Sequence, residues 1–143
     1  MSTKFNFKSA VCTSVDQSRR LLELGLKKET ADMLIMSYST EQDIIALSWS
    51  ESGGWTKDNS IPAWSLHRLL SLLPECVYHK NKACFLYLHL GVFCEWRSTI
   101  WDWEANDKAV EIFDKPDLWE NLIDCIEWLI KEGYFNKEYL CQK

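Results

Sequence analysis

The stretch that decides the fold class is Ala83-Cys84-Phe85-Leu86-Tyr87-Leu88-His89-Leu90, then Gly91, then Val92-Phe93-Cys94-Glu95-Trp96-Arg97. Two runs rich in aromatic and aliphatic residues flank one glycine, the pattern of two antiparallel strands joined by a turn. Downstream, Trp101-Asp102-Trp103-Glu104 and Ala109-Val110-Glu111-Ile112-Phe113 alternate apolar with acidic residues. That period suits one or two further strands with one wet face.

From Pro116, a favoured first-turn residue, apolar positions at Trp119, Leu122, Ile123, Ile126, Leu129 and Ile130 follow helical spacing until Gly133. Asp117 and Glu120 near its start suit the helix dipole.

Upstream, Pro62 restricts Ile61 to extended geometry, and Ser65 can cap a helix through Leu66, Leu69, Leu70, Leu72 and Leu73 that Pro74 stops. Asp43-Ile44-Ile45-Ala46-Leu47-Ser48-Trp49 is β-branched and aromatic and predicts a strand, followed by a Gly/Ser-rich loop from Ser50 to Ser60. Ser14-Val15-Asp16-Gln17 has the form of a capping box opening a helix that Gly25 closes. Thr30 offers a cap for one further helical turn. Residues 1–12 suit either a short strand or a loosely ordered arm.

The predicted order of helix, strand, short helix, hairpin, strand and helix has no regular β-α-β alternation. The expected class is therefore α+β, an antiparallel sheet of three to five strands with helices packed mainly on one face. A chain of 143 residues is sized for one domain, residues 1–143, with one core.

The opening Met1-Ser2-Thr3-Lys4-Phe5-Asn6-Phe7-Lys8 lacks the apolar core of a signal peptide, and no stretch is apolar for long enough to span a bilayer. We expect a cytoplasmic protein that makes no membrane contact. Cys12, Cys76, Cys84, Cys94, Cys125 and Cys141 then read as reduced thiols, mostly buried. The net charge of −5 is uneven: residues 99–143 hold five Lys and eleven Asp/Glu, and the rest of the chain is nearly neutral. With no basic stripe, direct nucleic-acid binding is disfavoured.

His79, Cys84, His89 and Cys94 recur every five residues and are all zinc-ligand types. Residues five apart on a strand point to opposite faces, and no Cys-x-x-Cys is present to chelate locally, so no metal or other cofactor is expected. The nucleophile-elbow, Walker, dinucleotide and zincin signatures are missing. Asp102, Glu104, Asp107 and Glu111 are the carboxylates of a solvated strand face before they are an acid and base pair.

Eight Trp make the chain unusually aromatic. Most belong in a core, but some can lie exposed and stack on sugars, bases or protein partners. Trp128 falls on the flank of the last helix, where it can cover the sheet edge or enter an oligomer interface. Trp101, Trp103 and Trp128, with Asp102 and Glu104, form the candidate interaction surface.

Three segments carry a resemblance: Ser18-Arg19-Arg20-Leu21-Leu22-Glu23-Leu24-Gly25-Leu26 running into Thr30-Ala31-Asp32-Met33; Ile61-Pro62-Ala63-Trp64-Ser65-Leu66 with Leu69 to Pro74; and Trp128-Leu129-Ile130-Lys131-Glu132-Gly133-Tyr134. Together they resemble a family of small proteins of unknown function from phages and mobile elements of gut Bacteroidetes. The resemblance implies a bacterial cytoplasmic origin and an accessory role, and it transfers no catalytic residue.

The leading expectation is a non-catalytic accessory protein that binds a protein partner, and a homodimer is compatible with the sequence. One competing reading is an enzyme with an unrecognised thiol- or carboxylate-based site. Another is an acidic nucleic-acid mimic in which Asp102, Glu104, Asp107, Glu111, Asp114, Asp117 and Glu120 imitate a phosphate row.

Overall fold

The computed structural model describes residues 10–38, 41–46, 60–90, 96–102 and 108–142. The chain is α+β, with α1 (Val15–Glu23), β1 (Met33–Tyr38), β2 (Glu41–Ala46), β3 (Ser60–Ala63), α2 (Leu66–Leu72), β4 (Cys76–His79), β5 (Lys82–Leu90), β6 (Trp96–Asp102), β7 (Lys108–Lys115) and α3 (Leu118–Lys131). The strands form two antiparallel sheets rather than one, in the orders β2-β1-β3 and β4-β5-β6-β7. Residues 1–9 of the expected 1–12 arm, the strand end Leu47–Trp49, residues 50–59 of the expected loop and the glycine turn with Val92–Glu95 lie outside the described residues; of the remainder, Cys12 is buried against Ile35 and Ala63, and Ser60 opens β3.

The predicted helix signals operate locally. The Ser14 hydroxyl accepts from the Gln17 N–H at 3.2 Å, while the Gln17 side chain accepts from the Ser14 N–H at 3.0 Å. Ser65 caps α2 through the Arg68 N–H at 3.2 Å. Gly25 and Gly133 close α1 and α3 with φ of +100° and +77°, values that L side chains rarely adopt. Two details differ. Pro116 precedes the helix, and the Asp117 carboxylate caps α3 by accepting from the Trp119 N–H at 3.0 Å. Thr30 ends a short 3-10 turn, Lys28–Thr30, and caps nothing. Its hydroxyl donates to the Lys27 carbonyl at 2.7 Å and accepts from the Trp64 indole at 2.9 Å, after which the chain turns extended into β1.

β1 escaped the period-two reading because Leu34, Ile35 and Met36 are all buried, so both faces of this central strand are covered and nothing alternates. β3 tolerates Pro62 because it is an edge strand. β4, also unpredicted, joins β5 through Lys80 and Asn81 at φ of 50° and 64°, a tight hairpin turn made without glycine. The predicted hairpin partners do pair as β5 and β6, but the second strand runs on to Asp102, opposite Cys84.

The larger sheet has two unlike faces. Cys84, Leu86 and Leu88 of β5 and Ile100 of β6 turn inward against Leu122, Ile123, Cys125, Ile126 and Leu129 of α3, and this core extends to Leu21, Leu69, Leu72 and the fully buried Trp64. Burying these side chains gives the domain most of its driving force, roughly 1.5–3 kcal/mol each before entropy is counted.

A charged clasp ties α1 to α3. Arg20 lies 2.7 Å from Asp124 and 3.4 Å from Glu120 and also pairs with Glu127, which Lys131 approaches at 2.8 Å. Hydrogen bonds from Lys131 and Arg20 hold the Glu127 carboxyl below its ordinary value. A carboxylate whose folded pKa is depressed stabilises the fold above its unfolded pKa, and that share is lost as pH falls through the folded value. Replacing Glu127 by Gln should therefore flatten the fall in stability below about pH 4.5, measured by urea denaturation across pH. Arg20→Met should cost about 1–2 kcal/mol at neutral pH, because three carboxylates lose their shared cation in a partly solvated site. An unchanged acid slope in Glu127→Gln would remove this carboxylate from the acid response.

Candidate functional site

The outer face of the four-stranded sheet is the candidate site. Directly opposed residues of antiparallel strands share a face, so the register places Phe85 beside Trp101, Tyr87 beside Thr99, and His89 beside Arg97. β7 continues these rows with Ile112 beside Thr99 and Asp114 beside Arg97. β4 adds Tyr78, opposite Ala83. Tyr78 is 73% exposed, Tyr87 and Ile112 46%, and Phe85 39%. Three aromatic rings and an aliphatic side chain on one sheet face remain in contact with water.

A groove of about 320 Å³ opens on this face, lined by Tyr87, Leu88, His89, Thr99 and Trp101. Its lining includes no Lys, Arg, Asp or Glu, and the nearby Arg97 and Asp114 neutralise each other at 2.6 Å.

Of the five residues expected to form an interaction surface, the three described ones, Trp101, Asp102 and Trp128, do not share one face. Trp101 lines the groove on the outer face. Asp102 is turned to the inner side, opposite Cys84, where Lys82 approaches it at 3.5 Å. Trp128 covers the sheet edge from the inner side, meeting Phe113 of β7 edge-to-face at 6.3 Å between ring centres and Tyr134 in a tilted contact at 5.7 Å. Trp103 and Glu104 lie outside the described residues, as do Asp107 and Cys94. Tyr87, His89 and Thr99 were not read as members of a binding site.

His79 and Cys84 do reach the same side of the sheet, but His79 Nδ1 is hydrogen-bonded to the Tyr134 hydroxyl at 2.7 Å and Cys84 donates to the Lys82 carbonyl at 3.6 Å. His89 faces the other way. No cluster of metal-ligand type occurs among the described residues. The five described cysteines are free thiols, and Cys12, Cys84 and Cys125 are buried. Burial raises the pKa of all three, Cys125 to about 12, so they keep their protons at neutral pH. No helix of the described residues is long and apolar enough to cross a membrane.

The segments carrying the family resemblance meet in the interior. Thr30 bonds to the Trp64 indole, and the Asp32 carboxylate accepts from the Ser65 N–H at 2.8 Å and the Ser65 hydroxyl at 2.5 Å. These residues hold the first strand of the small sheet to the start of α2.

No family model, curated protein or solved structure matches this chain.

Proposed function

We propose that this protein is a non-catalytic interaction module that docks a protein partner on the open outer face of its four-stranded sheet. The observation that carries the reading is the exposed row Tyr78, Phe85, Tyr87 and Ile112 around an apolar groove. Soluble domains rarely leave contiguous apolar surface of this kind without a partner for it. Aromatic residues also dominate the energetics of protein interfaces.

A cytoplasmic accessory role in a phage or mobile element of gut Bacteroidetes belongs to the same proposal. It rests on the resemblance of the Thr30–Met33, Ile61–Pro74 and Trp128–Tyr134 segments, and the free thiols suit it. The enzyme reading loses its thiol version at Cys12, Cys84 and Cys125, which stay protonated. The mimic reading is weakened because Asp102, Asp114 and Glu120 each face a cation: Lys82, Arg97 and Arg20.

The test is affinity capture of the tagged protein from a Bacteroides host, run beside a Phe85→Glu/Tyr87→Glu variant. Both positions are exposed, so two carboxylates there should cost the fold little while placing uncompensated charge inside a docked interface. Wild type should retain a stoichiometric protein partner, the variant should lose it, and the melting temperatures of the two should agree within a few degrees. Equal capture by a folded variant would place the interface elsewhere or remove it.

A further inference from the structure

Five polar residues are buried among the described residues: Thr13, Ser18, Ser98, Thr99 and Asn121. Thr13 and Ser18 bond to each other at 2.7 Å, and Ser98 bonds to Asn121. Thr99, at 4% exposure, is the exception: its hydroxyl has no hydrogen-bond partner among the described residues, and it lines the groove between Tyr87 and Trp101. A buried hydroxyl without a partner is a standing cost in the free protein. Because Thr99 lines the groove, an occupant of the groove is the group placed to satisfy it.

Other features of the same place narrow the occupant. Tyr87 lies directly opposite Thr99, so Trp101, two residues along β6, is its diagonal neighbour. Diagonal positions stand about 7–8 Å apart across an antiparallel pair. That separation keeps both aromatic side chains within reach of one small ring docked over the strand pair. The polar atoms offered include three that can donate, the Tyr87 and Thr99 hydroxyls and the Trp101 indole N–H, with the His89 ring beside them. The lining holds no Lys, Arg, Asp or Glu and the adjacent Arg97 and Asp114 pair with each other, so the groove offers no row of charge and suits an uncharged chain whose carbonyls can accept from its donors.

A proline-rich segment in the polyproline II conformation has these properties. Its rings are saturated and flat-sided, its prolines have no N–H, its carbonyls are fully solvated acceptors, and little entropy is lost when it docks because the conformation is preformed. Single-stranded nucleic acid would need cations along its phosphates, and the lining supplies none.

We infer that the Tyr87–Thr99–Trp101 groove binds an extended, uncharged proline-rich peptide, with one proline ring between Tyr87 and Trp101 and a peptide carbonyl accepting from the Thr99 hydroxyl. This inference rests on the reading of the outer sheet face as the docking surface.

The experiment is titration of the full chain with decaproline, followed by tryptophan fluorescence, beside a Gly/Ser peptide of the same length. Decaproline should saturate the protein and the Gly/Ser peptide should not. Tyr87→Ala should weaken binding about tenfold or more. Thr99→Val should weaken it about fivefold while leaving the free protein at least as stable as wild type, and Thr99→Ser should restore affinity. A merely structural threonine would not move stability and affinity in opposite directions. Absence of saturation at millimolar decaproline would overturn the occupant; if Phe85→Glu/Tyr87→Glu still abolished partner capture, the docking face would stand without it. Decaproline binding unchanged in Tyr87→Ala, or saturation by a neutral oligosaccharide or a single-stranded oligonucleotide instead, would also overturn the inference.

Discussion

Trp64→Ala is expected to lower the free energy of unfolding by about 3–5 kcal/mol, the usual cost of deleting a fully buried Trp. Trp64 is 0% exposed and belongs to the core formed by α1, α2, α3 and the larger sheet. Its indole donates to Thr30, while its backbone N–H donates to the Thr13 hydroxyl at 3.1 Å and its carbonyl accepts from the Thr13 N–H at 2.9 Å. Alanine keeps the backbone bonds but leaves a cavity and removes the indole donor from Thr30. Trp64→Phe keeps most of the volume and should cost about 1–2 kcal/mol, nearer the value of one buried hydrogen bond. Since the whole stability of a domain is about 5–15 kcal/mol, the alanine variant should unfold at much lower urea. Urea denaturation followed by far-UV circular dichroism measures both. A loss below about 1.5 kcal/mol in Trp64→Ala would show that the interior collapses onto the gap.

Asn121→Leu should be comparably damaging for a different reason. Asn121 is fully buried on α3, its amide N–H₂ donates to the Trp96 carbonyl at 2.8 Å and the Phe113 carbonyl at 2.7 Å, and its side-chain oxygen accepts from the Ser98 hydroxyl. One side chain thus joins the helix to β7 and to β6, the strand that carries Thr99 and Trp101 of the groove. Leucine of similar volume leaves these groups without that partner in the interior, a loss of about 3 kcal/mol when each costs on the order of 1. Adding Ser98→Ala removes one stranded hydroxyl and should recover about 1 kcal/mol, so the double variant should be more stable than Asn121→Leu alone. If instead the two losses simply added, the Ser98–Asn121 bond would carry no coupling.

Part of the candidate site was legible. Trp101 was singled out as an aromatic able to bind a partner, and the hairpin that carries Tyr87 was predicted. The open face itself was not, because both faces of β5 are apolar: Cys84, Leu86 and Leu88 on one, Phe85 and Tyr87 on the other. Such a run reads the same whether its second face is covered by a layer or left in water. Proximity in sequence groups Asp102 with Trp101, and a flank position on the last helix adds Trp128, whereas the pleat sends Asp102 to the opposite side and α3 carries Trp128 beneath the sheet.

By itself the sequence determined where α1 and α2 begin and where α1 and α3 close, since a cap is decided within three or four residues: Ser14 with Gln17, Ser65 with Arg68, and a left-handed glycine at Gly25 and Gly133. It also determined the α+β class and the pairing of the two strands flanking Gly91. Only the tertiary structure decided that there are two sheets, that β1 and β4 are strands, and which face of the larger sheet stays open. Those outcomes depend on partners distant in the chain, such as Thr30 with Trp64, Asp32 with Ser65, and Ser98 with Asn121. A strand acquires its faces, and a buried polar group its partner, only when remote segments arrive, and no local periodicity encodes which segments those are.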